Sequence, residues 1–253
     1  MKIEGSVALV TGANRGLGRA FVDGLLARGA AMVYAGARIP SAMAGVPAVP
    51  VALDITQPSD VAKAAARCTD VTLLINNAGI MLRSPMLADG SAEAMRREMD
   101  VNVFGTLDMV RCFAPVLAAN GGGAIVNVLS VLSWVTSPAL ATYSASKHAE
   151  LAVTDAARIQ LKAQGTQVLG VYAGFIDTDM VAGLDGAKTT PVEVVARTLE
   201  GVDAGLDHVL AGERAHHVWA TRRENPAALE AGMQAAWDAA AAANWRDLHP
   251  ETP

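Results

Sequence analysis

Short apolar runs along the chain alternate with longer segments in which apolar positions recur at helical spacing. Strand-like runs fall at Val7–Val10, Met32–Ala35, Val49–Leu53, Val71–Ile75, Ile125–Leu129 and Val168–Tyr172. Most are Val, Ile and Leu without polar alternation, the pattern of strands covered on both faces. Helical patterns lie between them, near Gly18–Arg28, Pro58–Arg67, Ala92–Asn120, Tyr143–Gln164 and Pro191–Gly205. Strand then helix, repeated, implies a parallel sheet with right-handed crossovers. The expected fold class is α/β, a single doubly wound domain with helices on both faces of the sheet.

Two stretches depart from that rhythm. Arg38 to Ala48 carries Pro40 and Pro47 and is too broken for a full crossover helix, so a reduced turn is expected. After Gly205 the pattern weakens: His208–Leu210 reads as a short strand and Pro226–Asn244 as an Ala-rich helix opened by proline. Trp237 and Trp245 in or beside that helix need apolar cover. Residues 206–253 are therefore read as a helical C-terminal extension of the same domain.

Composition narrows the function. Aromatics are only 4% of the 253 residues, so the core must be aliphatic. A net charge of −5 without a run of Lys or Arg argues against nucleic acid, though not against a local basic pocket. Cys68 and Cys112 have neither metal nor disulfide spacing and read as ordinary thiols. His208, His216 and His217 lack a carboxylate or cysteine at ligand spacing, so no metal is expected. No charged leader with a cleavage site opens the chain, and no run of about 18 uninterrupted apolar residues is present. No membrane span and a cytoplasmic location are the expectations.

Directly after the first apolar run comes Thr11-Gly12-Ala13-Asn14-Arg15-Gly16-Leu17-Gly18, then an amphipathic helix. Glycines let backbone N–H groups approach a pyrophosphate, and the helix N-terminus favours its charge. Any tight strand-to-helix turn also likes glycine; the place in a βα unit is what points to a dinucleotide. The second strand ends Ala35-Gly36-Ala37-Arg38 without the acid that would bind a ribose 2′-hydroxyl. A guanidinium there suits a 2′-phosphate, with Arg15 close by; two solvated surface arginines are the plainer alternative.

Tyr143 and Lys147 open a helix four residues apart, on one face. An ammonium beside a phenol stabilises the phenolate, so the pair can give or take a proton. Ser130, just past the fifth strand, can hold a substrate oxygen or simply cap the next segment, and Ser133 is a nearby rival. Asn102 sits inside a long helical pattern, either as a kink or as the holder of a water.

Together these parts resemble the short-chain dehydrogenase/reductase family over roughly Val7 to Thr198. The matches are Thr11-Gly-x3-Gly-x-Gly18, Asn76-Asn77-Ala78-Gly79, Asn102, Ser130 and Tyr143-x3-Lys147. The resemblance implies a Rossmann-type fold and an oxidoreductase passing a hydride between a nicotinamide and a carbonyl or alcohol carbon. It implies that Tyr143 is the acid/base, that Ser130 holds the substrate oxygen, and that Lys147 lowers the tyrosine pKa and binds the nicotinamide ribose. Asn102 would hold a relay water. Gly12, Asn14, Arg15, Gly16, Leu17 and Gly18 would cradle the cofactor, with Arg38, Asp54, Ile55, Asn77, Ala78 and Gly79 on the adenosine side. Gly174, Ile176 and Thr178 would flank the carboxamide. Arg15 and Arg38 fit the NADP(H) pattern. A homodimer or homotetramer would form through Ala92–Asn120 and Tyr143–Gln164.

Three features depart from the family. Ala173-Gly174 replaces Pro-Gly after the sixth strand; Asp179–Thr190 is short, which suggests an open pocket; and no glycine-rich last strand is evident after His208, which weighs against a tetramer. Met81, Trp134, Leu140, Phe175 and Met180 fall near the expected pocket with no obvious Arg or Lys. A hydrophobic or aromatic ketone, aldehyde or secondary alcohol is the expected substrate, unless these side chains merely fill core. A non-catalytic redox sensor would have lost Tyr143 or Lys147. A sugar epimerase would use another glycine spacing and a larger C-terminal domain. An NAD-dependent alcohol dehydrogenase of the same family is opposed by the two arginines.

Overall fold

The computed structural model describes residues 1–39, 41 and 45–242. Pro40 and Trp245, singled out above, lie outside them. Seven strands form one parallel sheet: β1 (Val7–Thr11), β2 (Met32–Ala37), β3 (Val49–Ala52), β4 (Leu73–Asn76), β5 (Ala124–Ser130), β6 (Gln167–Ala173) and an edge strand, β9 (His208–Ala211). Their order is β3-β2-β1-β4-β5-β6-β9. The sheet therefore grows away from β1 in one direction and from β4 in the other. In such a sheet the crevice lies where the order reverses, at the carboxyl ends of β1 and β4.

Side chains alternate between the two faces as the pleat requires. Ala8, Val10, Leu73, Ile75 and Val126 face α1 (Gly16–Ala27) and α6 (Pro191–Ala204). Leu9, Leu74 and Ile125 face α2 (Pro58–Arg67), α4 (Thr106–Ala119) and α5 (Ala141–Gln160). Both faces are covered, which is why the strands read as unbroken apolar runs. The expected short strand at His208 is the sheet's seventh, formed without a glycine-rich sequence. The C-terminal region is thus not helical throughout. The described part of the β2–β3 crossover contains no α-helix.

The pattern Ala92–Asn120 is not one regular helix. It divides into α3 (Ser91–Glu98), a π-helical stretch at Met99–Gly105, and α4. An 18-residue window in Ser91–Ala119 has a mean hydropathy of 1.3, enough by composition to cross a bilayer, which the search for uninterrupted apolar residues did not flag. Here the segment packs on the sheet, with Met109, Phe113 and Leu117 fully buried. Two elements had no counterpart in the expectations: a two-stranded ribbon of β7 (Phe175–Ile176) and β8 (Lys188–Thr189), and α7 (Glu213–Glu224). The last helix, α8 (Pro226–Ala242), packs on α7 and on the far end of the sheet.

Candidate active site

A cleft of about 890 Å³ opens at the carboxyl ends of the central strands. Its first wall is the turn from β1 into α1. The Thr11 hydroxyl accepts hydrogen bonds from the backbone N–H groups of Asn77 and Ala78, both at 3.0 Å. The Asn77 amide donates to the carbonyls of Thr11 (2.9 Å) and Gly12 (3.3 Å). The turn is thereby bolted to the loop after β4. Gly12 has φ +65°, and a Cβ on Gly18 would overlap the Gly12 carbonyl oxygen. No side chain caps α1, and its first turn holds no acid, so its N–H groups face the cleft free for an anion.

Arg38 stands exposed one residue beyond β2, after Ala37 and with no acid in the strand end. Arg15 pairs with Asp179 at 2.9 Å, both highly exposed, a contact weak enough to yield to a phosphate. Asp54 accepts from the Thr56 N–H (3.0 Å) and hydroxyl (2.7 Å). A glycine-shaped turn, an uncapped helix and two exposed arginines fit a dinucleotide that carries an additional phosphate. Every residue assigned to the cofactor from the sequence lines this one cleft.

The second wall is built by β5 and α5. Tyr143, Lys147 and Glu150 share a face of the helix. The Lys147 ammonium donates to Glu150 Oε2 at 2.6 Å and to the Val128 carbonyl at 2.9 Å, and lies 5.8 Å from the centre of the Tyr143 ring. Ser130 lines the cleft; its hydroxyl accepts from the Leu132 N–H at 3.1 Å. Its rival Ser133 is buried away from the cleft and accepts from the Ser130 N–H, so it serves as a cap. Burial pushes the Tyr143 phenol above its usual value; Lys147 pulls it down, while Glu150 pushes it further up. The expected lowering by Lys147 is therefore present but outweighed. Burial works against the Lys147 charge, yet Glu150 and Tyr143 hold the ammonium above the ordinary lysine value.

Asn102 does not line the cleft. It is buried in the π-helical stretch, where its Oδ1 accepts from the Ile80 N–H (2.9 Å) and its Nδ2 donates to the Ile80 carbonyl (3.0 Å) and to Ser146 Oγ (2.9 Å). Its side chain is fully engaged with protein, fastening the loop that follows β4. Glu98, one turn earlier and fully buried, accepts from the Leu82 N–H at 2.7 Å and serves the same loop. Burial pushes its carboxyl up, against that hydrogen bond.

At the far end, Met81, Leu140, Phe175 and Met180 line the cleft, whereas Trp134 does not. Trp134 stacks on Tyr172 with ring centres 3.9 Å apart and leans on Trp219 at 4.7 Å, because α7 offers it apolar cover. The expectation of no cationic side chain is also corrected: Arg214, at the start of α7, lines the cleft with its guanidinium 5.0 Å from the Phe175 ring centre. The short segment after Asp179 does not leave the pocket bare. Arg83 donates to the carbonyls of Met180 (2.9 Å) and Ala182 (2.8 Å), and Met233 and Ala236 of α8 close over the chain's own cleft.

Sequence reasoning missed Glu98, Glu150 and Arg214. The first two carried a signal: Glu150 is three residues after Lys147 and Glu98 four before Asn102, each on the same helix face as a residue already chosen. Arg214 carried none.

The family described as short chain dehydrogenase matches residues 6–188. A short chain dehydrogenase from Burkholderia cenocepacia J2315, solved in complex with NADP, superposes with a TM-score of 0.89 at 45% identity, covering 92% of this chain and 99% of that one. A sorbitol dehydrogenase from Cereibacter sphaeroides is 31% identical over 78% of this chain and 80% of its own. A 3-oxoacyl-[acyl-carrier-protein] reductase from Vibrio cholerae is 31% identical over 81% of this chain and 85% of its own.

Proposed function

The chain belongs to the short-chain dehydrogenase family, and from that premise we propose that it is an NADP(H)-dependent oxidoreductase interconverting a carbonyl compound and its alcohol. One observation carries the reading: a single cleft joins the glycine turn and its arginines to the Tyr143–Lys147–Ser130 cluster. The NADP held by the Burkholderia relative supports the choice of cofactor. When bound, the nicotinamide supplies or accepts the hydride at the substrate carbon.

The chain's own residues do the rest. Ser130 holds the substrate oxygen, and Tyr143 gives it a proton in reduction or takes one in oxidation. Lys147 has three donors, of which Glu150 and Val128 use two, leaving one for the cofactor ribose or the phenol. Asn102 holds the loop beneath the nicotinamide end in place, and its backbone is the relay's outlet. Arg38, with Arg15, takes the 2′-phosphate.

Met81, Leu140, Phe175 and Met180 favour a substrate with a hydrophobic or aromatic body. Arg214 beside Phe175 favours a second version of the same reading, in which that body carries an anionic group. The chain is taken as one catalytic domain working in the cytoplasm. Phe104 and Ile159, exposed near the start of α4 and late in α5, support a homodimer or homotetramer built on those helices.

Fluorescence titration with NADPH and NADH, repeated on Arg38→Ala, tests the cofactor. NADPH should bind the wild type more tightly, and the variant should lose about 10–100-fold in NADPH affinity with little change for NADH. Equal or tighter NADH binding by the wild type would overturn the assignment. Turnover of a panel of bulky ketones with NADPH then tests the substrate class, and activity confined to charged sugars would reject it.

A further inference from the structure

We propose that Glu150 is a positioning residue that keeps the Tyr143–Lys147 pair loaded with its proton, biasing the site toward carbonyl reduction. The inference rests on the reading of Tyr143 as the acid/base. Its geometry stands apart from that reading: a carboxylate with 2% of its side chain exposed lies 2.6 Å from an ammonium with 6% exposed. Its second oxygen faces the Thr106 hydroxyl on α4 at 3.5 Å. Lys147 is thus anchored from behind by Glu150 and from the side by the Val128 carbonyl, with its remaining donor turned toward the cleft.

Charge balance gives the direction. With Glu150 ionised, the buried group of Tyr143, Lys147 and Glu150 is neutral overall. Loss of one proton from the Tyr–Lys pair leaves it negative, a change that burial resists. Without the Glu150 charge the same loss takes a buried cation to neutrality, a change that burial favours. Two coupled groups give up their first proton as a pair, so the conclusion does not depend on which of them releases it.

No other neighbour reverses the effect. The charged groups facing the phenol among the described residues are Lys147 and Glu150 on α5 and Glu98 at the end of α3; Ser130 at the end of β5 is neutral. Glu98 acts in the same sense as Glu150. Reduction requires the proton on Tyr143 and oxidation requires its absence, so holding it to higher pH favours the reductive direction near neutrality.

The test uses tyrosinate absorbance of the full chain without cofactor. The protein has three tyrosines, and subtracting Tyr143→Phe isolates the step of interest. In the wild type the Tyr143 step should lie above the ordinary tyrosine value of about 10. Glu150→Gln keeps the shape and an acceptor oxygen but removes the charge. It should move the step down by roughly one pH unit or more, together with the acid limb of alcohol oxidation, and Glu150→Asp should move both back. A step that stays in place or rises in Glu150→Gln overturns the inference. So does a wild-type step near neutral pH, which needs no variant to fold. If Tyr143→Phe retains activity, the acid/base reading itself is lost. If Tyr143→Phe is inactive while the Glu150→Gln step is unmoved, only the role of Glu150 falls.

Discussion

At one end of the cleft the turn between β1 and α1 is shaped by what its residues lack, and at the other the face of α5 is shaped by what its side chains carry. Gly12 adopts a positive φ, and Gly18 leaves room that a single methyl would fill. The charges at that end, Arg15 and Arg38, are exposed and exchangeable. Around α5 the reverse holds: Lys147, Glu150 and Glu98 are buried and held by specific partners. An ion pair out of water is costly to break from one side, whereas an exposed pair contributes little. The cofactor end should therefore fail through shape and the chemical end through charge.

Tyr143→Phe is the sharpest break. It should lower kcat by about 10²–10⁴-fold while NADPH binding, read by fluorescence, is kept. A loss of binding instead would mean that the two ends are not separable. Gly18→Ala should do the opposite at the other end. Its Cβ meets the Gly12 carbonyl, so NADPH affinity should fall at least about tenfold, with a stability loss of about 1–3 kcal/mol seen in thermal melts.

Asn102→Ala lies between the ends and should cost about 1–3 kcal/mol, because the Ile80 backbone and Ser146 lose their partner. For a chain of this size each kcal/mol is about 2–4 °C in Tm. Arg15→Ala should be the mildest. Its exposed pair with Asp179 contributes at most about 1 kcal/mol, so the melt should barely move, and NADPH should weaken less than in Arg38→Ala. An Arg15 effect as large as that of Arg38 would move the phosphate pocket toward α1.

The sheet was legible because both of its faces are buried: a strand such as Leu73–Asn76 has no polar alternation to confuse it with anything else. The glycine turn and the Tyr–Lys spacing were legible for a related reason, since each is a local rule. What escaped depended on distant partners. Trp134 read as a pocket residue because its cover, Tyr172 and Trp219, comes from elements far along the chain. The helix α7 went unnoticed since only Ala215 and Val218 are buried along it, too few to set a period. Arg214 arrives at the cleft on that same helix. Helical periodicity over Ala92–Asn120 revealed the segment but not the change of winding within it, because one widened turn shifts the phase without erasing the pattern.

That widened turn makes the segment behave like a spliced rod. Residues before Met99 and after Gly105 are set in rotational phases that a regular α-helix could not supply at once. Glu98 and Asn102 reach the loop after β4, while Met109, Phe113 and Leu117 lie in the core. Deleting one residue between Met99 and Gly105 would leave both helices well formed but turn one against the other by about 100°. Either the loop would lose both of its side-chain fasteners or the core would lose its row of apolar residues, so a single deletion should be far more harmful here than in a surface helix of equal length.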